Sequence, residues 1–394
     1  MEYKFSDKVS GLKASAIREI LKFTSVPGVI SFAAGNPAPE AFPTERIAEL
    51  SAELLRDDPV LALQYNITEG YTPLREFLKE WMTEKNCFHK EFDDIIVTSG
   101  GQQANELSCK VLLNEGDTLL CESPSFIGSL NAFRSYNVNL VGVEMDEDGI
   151  NLEKLEDALK TQPNVKILYL IPNFQNPTGR TMSLEKRKAV YELACRYDFI
   201  ILEDDPYGEL RFAGENIPSI KSLDTEGLVI YSGSFSKIVA PGVRVGFVVA
   251  NEKLIAKFTV AKQTQDVHTP LISQLIVYKW LTEFDFEAHI NKIRDIYRRK
   301  LNLLCDCLDK EVGSFFDYQR PEGGLFVWAK LPDGVDMLEF VKKASAAGVS
   351  VVPGNAFLCD GDAPCDYVRL NFSTPSDEDI VKGVKILGEV AKTY

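Results

Sequence analysis

Lys237 closes the stretch Ser232-Gly233-Ser234-Phe235-Ser236-Lys237 and stands seven positions before Arg244. A lysine amine can form a Schiff base, and Ser234 with Arg244 can bind a phosphate beside it, because a guanidinium forks onto phosphate oxygens. A lone lysine would read as solvated surface; the hydroxyl residues and the arginine make this the most specific stretch of the chain. Glu203-Asp204-Asp205-Pro206-Tyr207 ends an apolar run. Its acids can form a solvated edge or a metal site, or an aspartate there can hold a protonated ring nitrogen. The three histidines, His89, His268 and His289, lie away from it and the carboxylates lack calcium-loop spacing, so no metal is assigned. Asn173-Phe174-Gln175-Asn176-Pro177-Thr178-Gly179 reads equally as a turn or as a ligand loop at a strand end. Ser99-Gly100-Gly101-Gln102-Gln103 can bring backbone N–H groups and a helix N-terminus to a phosphate. Its spacing fits neither the dinucleotide-binding nor the Walker pattern.

These stretches need elements to hold them. Seven short apolar, β-branched runs are expected strands: Ile95–Thr98, Thr118–Glu122, Asn139–Val143, Lys166–Ile171, Phe199–Glu203, Leu228–Ser232 and Val245–Ala250. Continuous runs such as Ile167-Leu168-Tyr169-Leu170-Ile171 suit strands buried on both faces. Helical spacing separates several of them, as in Gln102–Leu113 and Leu184–Tyr197. Alternating strand and helix predicts an α/β fold, a mostly parallel seven-stranded sheet flanked by helices. Val9–Phe23 reads as an amphipathic helix. A long helical stretch runs to about Leu308, followed by strands Gly324–Lys330 and Val368–Phe372 with helices Met337–Ala347 and Glu378–Lys392. The expected division is an N-terminal segment 1–50 joining the small domain, a large domain 51–290, and a smaller α+β domain 291–394.

Composition narrows the partners. Forty-three Lys and Arg against 58 Asp and Glu leave a net charge of −15, which opposes binding to nucleic acid or to anionic membrane. The eight cysteines are scattered without zinc spacing, so buried free thiols are expected. With no apolar leader at the start and no run long enough to span a membrane, a cytoplasmic protein is expected.

Taken together, the motifs resemble those of fold-type I pyridoxal-phosphate enzymes, specifically class I/II aminotransferases, in the family's order from Arg18 to Arg369. The subgroup acting on 2-aminoadipate, kynurenine, branched-chain and aromatic amino acids is similar in its N-terminal pattern, matched here by Ser15-Ala16-Ile17-Arg18-Glu19. The resemblance implies pyridoxal 5′-phosphate as cofactor and a ping-pong transfer of an α-amino group from an amino acid to a 2-oxo acid such as 2-oxoglutarate. It implies catalytic roles for Lys237 as the Schiff-base lysine, Asp204 at the pyridinium nitrogen, and Tyr207, which with Asn176 would bond the ring's phenolic oxygen. Gly101, Gln102, Ser234, Ser236 and Arg244 would cradle the phosphate, and Phe126 would stack on the ring, where the family often has Tyr or Trp. Tyr65 would reach the phosphate of a neighbouring subunit, implying a homodimer with shared active sites. Arg369 would fork onto the substrate carboxylate, beside Asn173 and Gly35. Arg18 can either pair with a distal carboxylate of the substrate or sit exposed beside an acid. A lyase or decarboxylase of the same fold would keep the same cofactor residues. An aminotransferase-like regulator is a further alternative, opposed by the charge and by the absence of a basic N-terminal extension.

Overall fold

The computed structural model describes residues 3–6, 8 and 28–394, so the expected helix Val9–Phe23 and Arg18 lie outside the described residues. A two-residue strand β1 (Ile30–Ser31) precedes the main sheet. That sheet comprises β2 (Asp93–Thr98), β3 (Thr118–Ser123), β4 (Asn139–Asp146), β5 (Gly149–Ile150), β6 (Val165–Leu170), β7 (Ile200–Asp205), β8 (Val229–Ser234) and β9 (Gly246–Asn251). Their order is β2-β9-β8-β7-β6-β3-β4-β5. The run from β8 through β4 is parallel, while β9 lies antiparallel between β2 and β8.

All seven expected strands are in this sheet, and an eighth corrects the count. Strand β5 folds back on β4, pairing Met145 with Ile150 and Asp146 with Gly149. The two-residue turn Glu147-Asp148, followed by Gly149 at φ 118°, allows the reversal. A two-residue strand lacks the run length that marks the other seven.

Alternation along the strands divides the core into two layers. Leu120, Leu168, Leu170, Ile201 and Val229 face one side, under the helices Leu152–Thr161 and Leu184–Tyr197. Leu119, Cys121, Ile167, Tyr169, Leu202 and Ile230 face the other and join the larger core. Each wholly buried aliphatic side chain contributes roughly 1.5–3 kcal/mol, which is what holds helices to both faces.

The second sheet is antiparallel, in the order β10-β11-β14-β13, from β10 (Asp317–Tyr318), β11 (Phe326–Lys330), β13 (Val352–Pro353) and β14 (Tyr367–Asn371). Helices Met337–Ala346 and Asp377–Ala391 accompany it. Strand β12 (Val349–Ser350) pairs in parallel with β1, which ties the segment after Gly28 to the C-terminal part. The expected boundaries at 50 and 290 fall inside continuous helices, Thr44–Asp57 and Phe286–Glu311.

Strand direction decides where the site lies. Because β2 and β8 both run antiparallel to β9, the loops after β2, β3, β6, β7 and β8 leave the same edge of the sheet. Four of the stretches singled out in the sequence lie on that edge, as expected where open α/β sheets bind ligands. Arg369, in the middle of β14 opposite Trp328, and Ala33–Asn36, after β1, approach from the second sheet's side.

Candidate active site

A cavity of about 340 Å³ opens at that edge, with Lys237, Asp204 and Arg369 in its wall. Lys237 follows the end of β8, and its Nζ donates to the Gly35 carbonyl at 2.8 Å. Burial lowers its pKa to about 8, and the charges of Arg369 and Arg244 push the same way. Asp204, near the end of β7, is buried, and desolvation raises its pKa to about 6. Its Oδ2 accepts from the Tyr169 hydroxyl at 2.8 Å and from Asn105 Nδ2 at 3.3 Å, bonds that favour the charged form.

Arg369 is 2% exposed. Its Nη1 donates to Asn176 Oδ1 at 2.9 Å and its Nη2 to the Ala33 carbonyl at 2.7 Å, while Nε has no partner among the described residues. Phe326 and Phe357 lie 4.2 and 4.9 Å from the guanidinium carbon. Among the described residues no carboxylate forms an ion pair with it, and burial lowers its pKa to about 10. A buried, unpaired cation is costly, so this arrangement is suited to an anion that arrives with a ligand. Tyr207, buried beside Arg369 and Asp204, has its phenol pKa raised chiefly by desolvation.

The cavity wall also contains groups that can hold a phosphate. Helix Gly101–Leu112 starts without a side-chain cap, so its first N–H groups and its dipole face outward. Gly100, at φ 81°, lies against Arg244, and a Cβ there would come within 2.3 Å of Arg244 Nη2. Arg244 donates from Nη2 to the Ser99 carbonyl at 3.0 Å and from Nη1 to Ser236 Oγ at 3.4 Å. Ser234 Oγ accepts from the Ser236 amide at 3.2 Å, and Gln102 holds the Gly128 carbonyl at 3.0 Å. Arg244 with the start of the helix, the Asp204 carboxylate, Lys237 and Phe126 share one cavity wall, a set of groups that fits pyridoxal 5′-phosphate.

Two expected residues stand elsewhere. Asn173 is not part of the cavity wall. Its Nδ2 donates to Asp205 Oδ1 at 3.0 Å and its Oδ1 accepts from Arg187 Nη2 at 2.7 Å, because the buried Arg187 needs acceptors. Tyr65 is 80% exposed, with its ring edge-on to His268, and is likewise outside the wall of this chain's cavity. The wall also contains residues the sequence reading missed, among them Asn36, Asn105, Ile171 and Phe326. Only Asn105 carried a signal, as an amide among the buried Ala104, Leu107 and Ser108 on a helix face.

Comparison with known proteins agrees with this geometry. The family described as aminotransferase class I and II matches residues 27–387. Aromatic-amino-acid aminotransferase 1 of Thermococcus litoralis is 44% identical over 99% of this chain and 94% of its own length. A solved kynurenine aminotransferase from Pyrococcus horikoshii, in complex with PMP, is 39% identical, with a TM-score of 0.94 over 99% of this chain and 97% of its own. LysN, an alpha-aminoadipate aminotransferase from Thermus thermophilus, solved with N-(5′-phosphopyridoxyl)-L-leucine, is 39% identical. Its TM-score is 0.90 over 99% of this chain and 97% of its own.

Proposed function

The chain belongs to the class I and class II aminotransferases, and from that membership we propose that Lys237, Asp204 and Arg369 carry out amino-group transfer between an amino acid and a 2-oxo acid. The observation that carries the assignment is the buried Arg369 with its unpartnered Nε, facing a cavity that also holds Lys237. Pyridoxal 5′-phosphate, when bound, supplies an electrophilic carbon and an electron-withdrawing ring. Lys237 is the amine that attaches the cofactor and then moves a proton at the substrate Cα. A pKa near 8 leaves part of it neutral, hence nucleophilic and basic, at neutral pH. Asp204 holds the ring-nitrogen proton. Gly101, Gln102, Ser234, Ser236 and Arg244 hold the phosphate, Phe126 covers the ring, and Asn176 and Tyr207 orient its phenolic oxygen. Arg369 takes the substrate α-carboxylate, with Gly35 leaving room beside it.

Substrate choice follows from what remains. The cations in the described wall are Lys237, Arg244 and Arg369, and each has a task. Phe326 and Ile171 then favour an aromatic or branched side chain, whereas a distal carboxylate, as in 2-aminoadipate, would call on Arg18. The relatives' names span both classes.

A homodimer is supported by the exposed apolar set Val60, Leu63, Tyr65 and Ile67, from which Tyr65 would reach the partner's phosphate. Free thiols at Cys87, Cys109, Cys121 and Cys305 support a reducing cytoplasm, and among the described residues no helix is long and apolar enough to cross a membrane. Joining of the N-terminal segment to the C-terminal small domain is supported by the β1–β12 pairing, and a large domain 51–290 by the main sheet lying wholly within Asp93–Asn251.

Incubation with phenylalanine, leucine or 2-aminoadipate and 2-oxoglutarate should yield glutamate. Borohydride reduction followed by peptide mapping should find the cofactor on Lys237. Attachment at another lysine, or no glutamate from any donor, overturns the assignment.

A further inference from the structure

We infer that Tyr169, aimed by Ser129 and Asn105, is the positioning residue that keeps Asp204 able to stabilise a proton on the cofactor's ring nitrogen. The inference rests on the placement of that nitrogen against Asp204 proposed above.

Tyr169 is wholly buried on β6, in register with Leu202, so Asp204 lies diagonally across on the same face of the sheet. Four side chains close a cycle there. Asn105 Nδ2 donates to Ser129 Oγ at 2.8 Å and to Asp204 Oδ2 at 3.3 Å. Ser129 Oγ donates to the Tyr169 hydroxyl at 2.9 Å, and Tyr169 donates to Asp204 Oδ2 at 2.8 Å. The sense of the cycle follows from proton counting. A serine hydroxyl has one proton, and with Asn105 donating to it, Ser129 passes its own to Tyr169. The phenol, now an acceptor from Ser129, turns its proton to Asp204. Oδ2 therefore meets two donors, a setting that opposes its own protonation, and neither donor reaches Oδ1. A methyl group built on Gly101, at the cavity wall, would lie 3.7 Å from Oδ1.

The cycle works against its surroundings. Burial raises the Asp204 pKa and the neighbouring Asp205 pushes the same way, while Tyr169, Asn105 and, least of the three, Ser232 lower it. Glu203 turns to the opposite face, where it accepts from the Ile220 and Lys221 amides. Lys237, Arg244, Arg369 and Tyr207 are the other titratable groups of the cavity wall. Without the phenol, Asp204 would hold a proton more readily itself, and a neutral carboxyl stabilises a positive ring nitrogen poorly.

The test uses the cofactor-loaded enzyme without substrate. Its visible absorption band, followed against pH, reports protonation of the Lys237 nitrogen bonded to the cofactor, and positive charge at the ring nitrogen keeps that midpoint low. Tyr169→Phe retains the aromatic contact with Phe133 and removes the donor. The midpoint should rise by about one pH unit and the cofactor should bind the apoenzyme roughly tenfold more weakly, the scale of one hydrogen bond to a charged group. Ser129→Ala should move the midpoint the same way by less. Tyr191→Phe, which loses a comparable hydroxyl contact with Asp224 away from the cavity, should leave it in place. An unchanged midpoint in loaded Tyr169→Phe overturns the inference; if that variant does not fold, an unchanged midpoint in Ser129→Ala does so. A parent enzyme whose band ignores pH instead overturns the placement of Lys237 and Asp204 on which the inference rests.

Discussion

Lys221 and Lys237 are both enclosed by the protein, yet their surroundings are opposite. Lys221 Nζ is fully buried between Asp93 at 2.8 Å and Asp224 at 2.9 Å, with the Val229 carbonyl at 3.1 Å, so all three ammonium protons have acceptors. Lys237 Nζ donates to one carbonyl, that of Gly35, and the charges acting on it are two arginines. The arginines repeat the contrast. Arg187 is saturated by carbonyls of Met182, Pro172, Ile217 and Pro218 and by Asn173, whereas Arg369 keeps a buried Nε without a partner. Burying a charge is costly unless partners replace the lost water. Lys221 and Arg187 have those partners and serve the fold. Lys237 and Arg369 have fewer, which under the proposed function leaves one amine reactive and one guanidinium ready for an incoming carboxylate.

Four expectations put this contrast at risk. Lys237→Ala should lower amino-transfer turnover by at least about 10⁴-fold, the upper range for a lost acid–base group, while leaving the chemical-denaturation midpoint unchanged or raised. Turnover within tenfold of the parent would break the contrast from the functional side. Lys221→Ala should cost about 3–5 kcal/mol of unfolding free energy, because it leaves Asp93 and Asp224 buried without their counter-ion. A stability loss of similar size in Lys237→Ala would erase the distinction between the two lysines. Arg369→Lys preserves charge but not the two-pronged geometry, and kcat/KM for the amino acid should fall roughly 10–100-fold in steady-state assays.

The smallest effect is on pH dependence. The folded apoenzyme holds Lys237 at a pKa near 8, below the ordinary lysine value of 10.5, so between these values the unfolded chain binds the extra proton. Stability should therefore rise with pH across that window. Thermal melts of apoenzyme and Lys237→Met between about pH 7.5 and 11 should show a more positive dependence of stability on pH in the parent than in the variant. Parallel curves would mean that Lys237 is not desolvated in the folded state.

Much of this is written in local sequence. The seven longer strands announce themselves by apolar runs, and Ser232–Lys237, Glu203–Tyr207 and Ser99–Gln103 each lie across or just past the end of a strand, where turn chemistry and helix starts are encoded by neighbouring residues. The two-residue strand Gly149–Ile150 was not legible, since its pairing depends on an adjacent strand rather than on its own pattern. Asn173 shows a different limit. Its motif points to a ligand, but its amide is taken by Arg187 and Asp205, contacts that no spacing rule records.

By itself, then, the sequence determined the alternation of strands and helices, the residue types at the strand ends and their order, all of which rest on interactions between near neighbours. Only the tertiary structure decided that Gly35, Asn105, Lys237 and Arg369 share one cavity, that Arg369 is buried without a counter-ion among the described residues, and that Tyr169 donates to Asp204. Those outcomes depend on strand order and on the removal of water from particular charges. Both arise only when distant segments pack together, so the chemical state of the lysine and the arginine belongs to the fold.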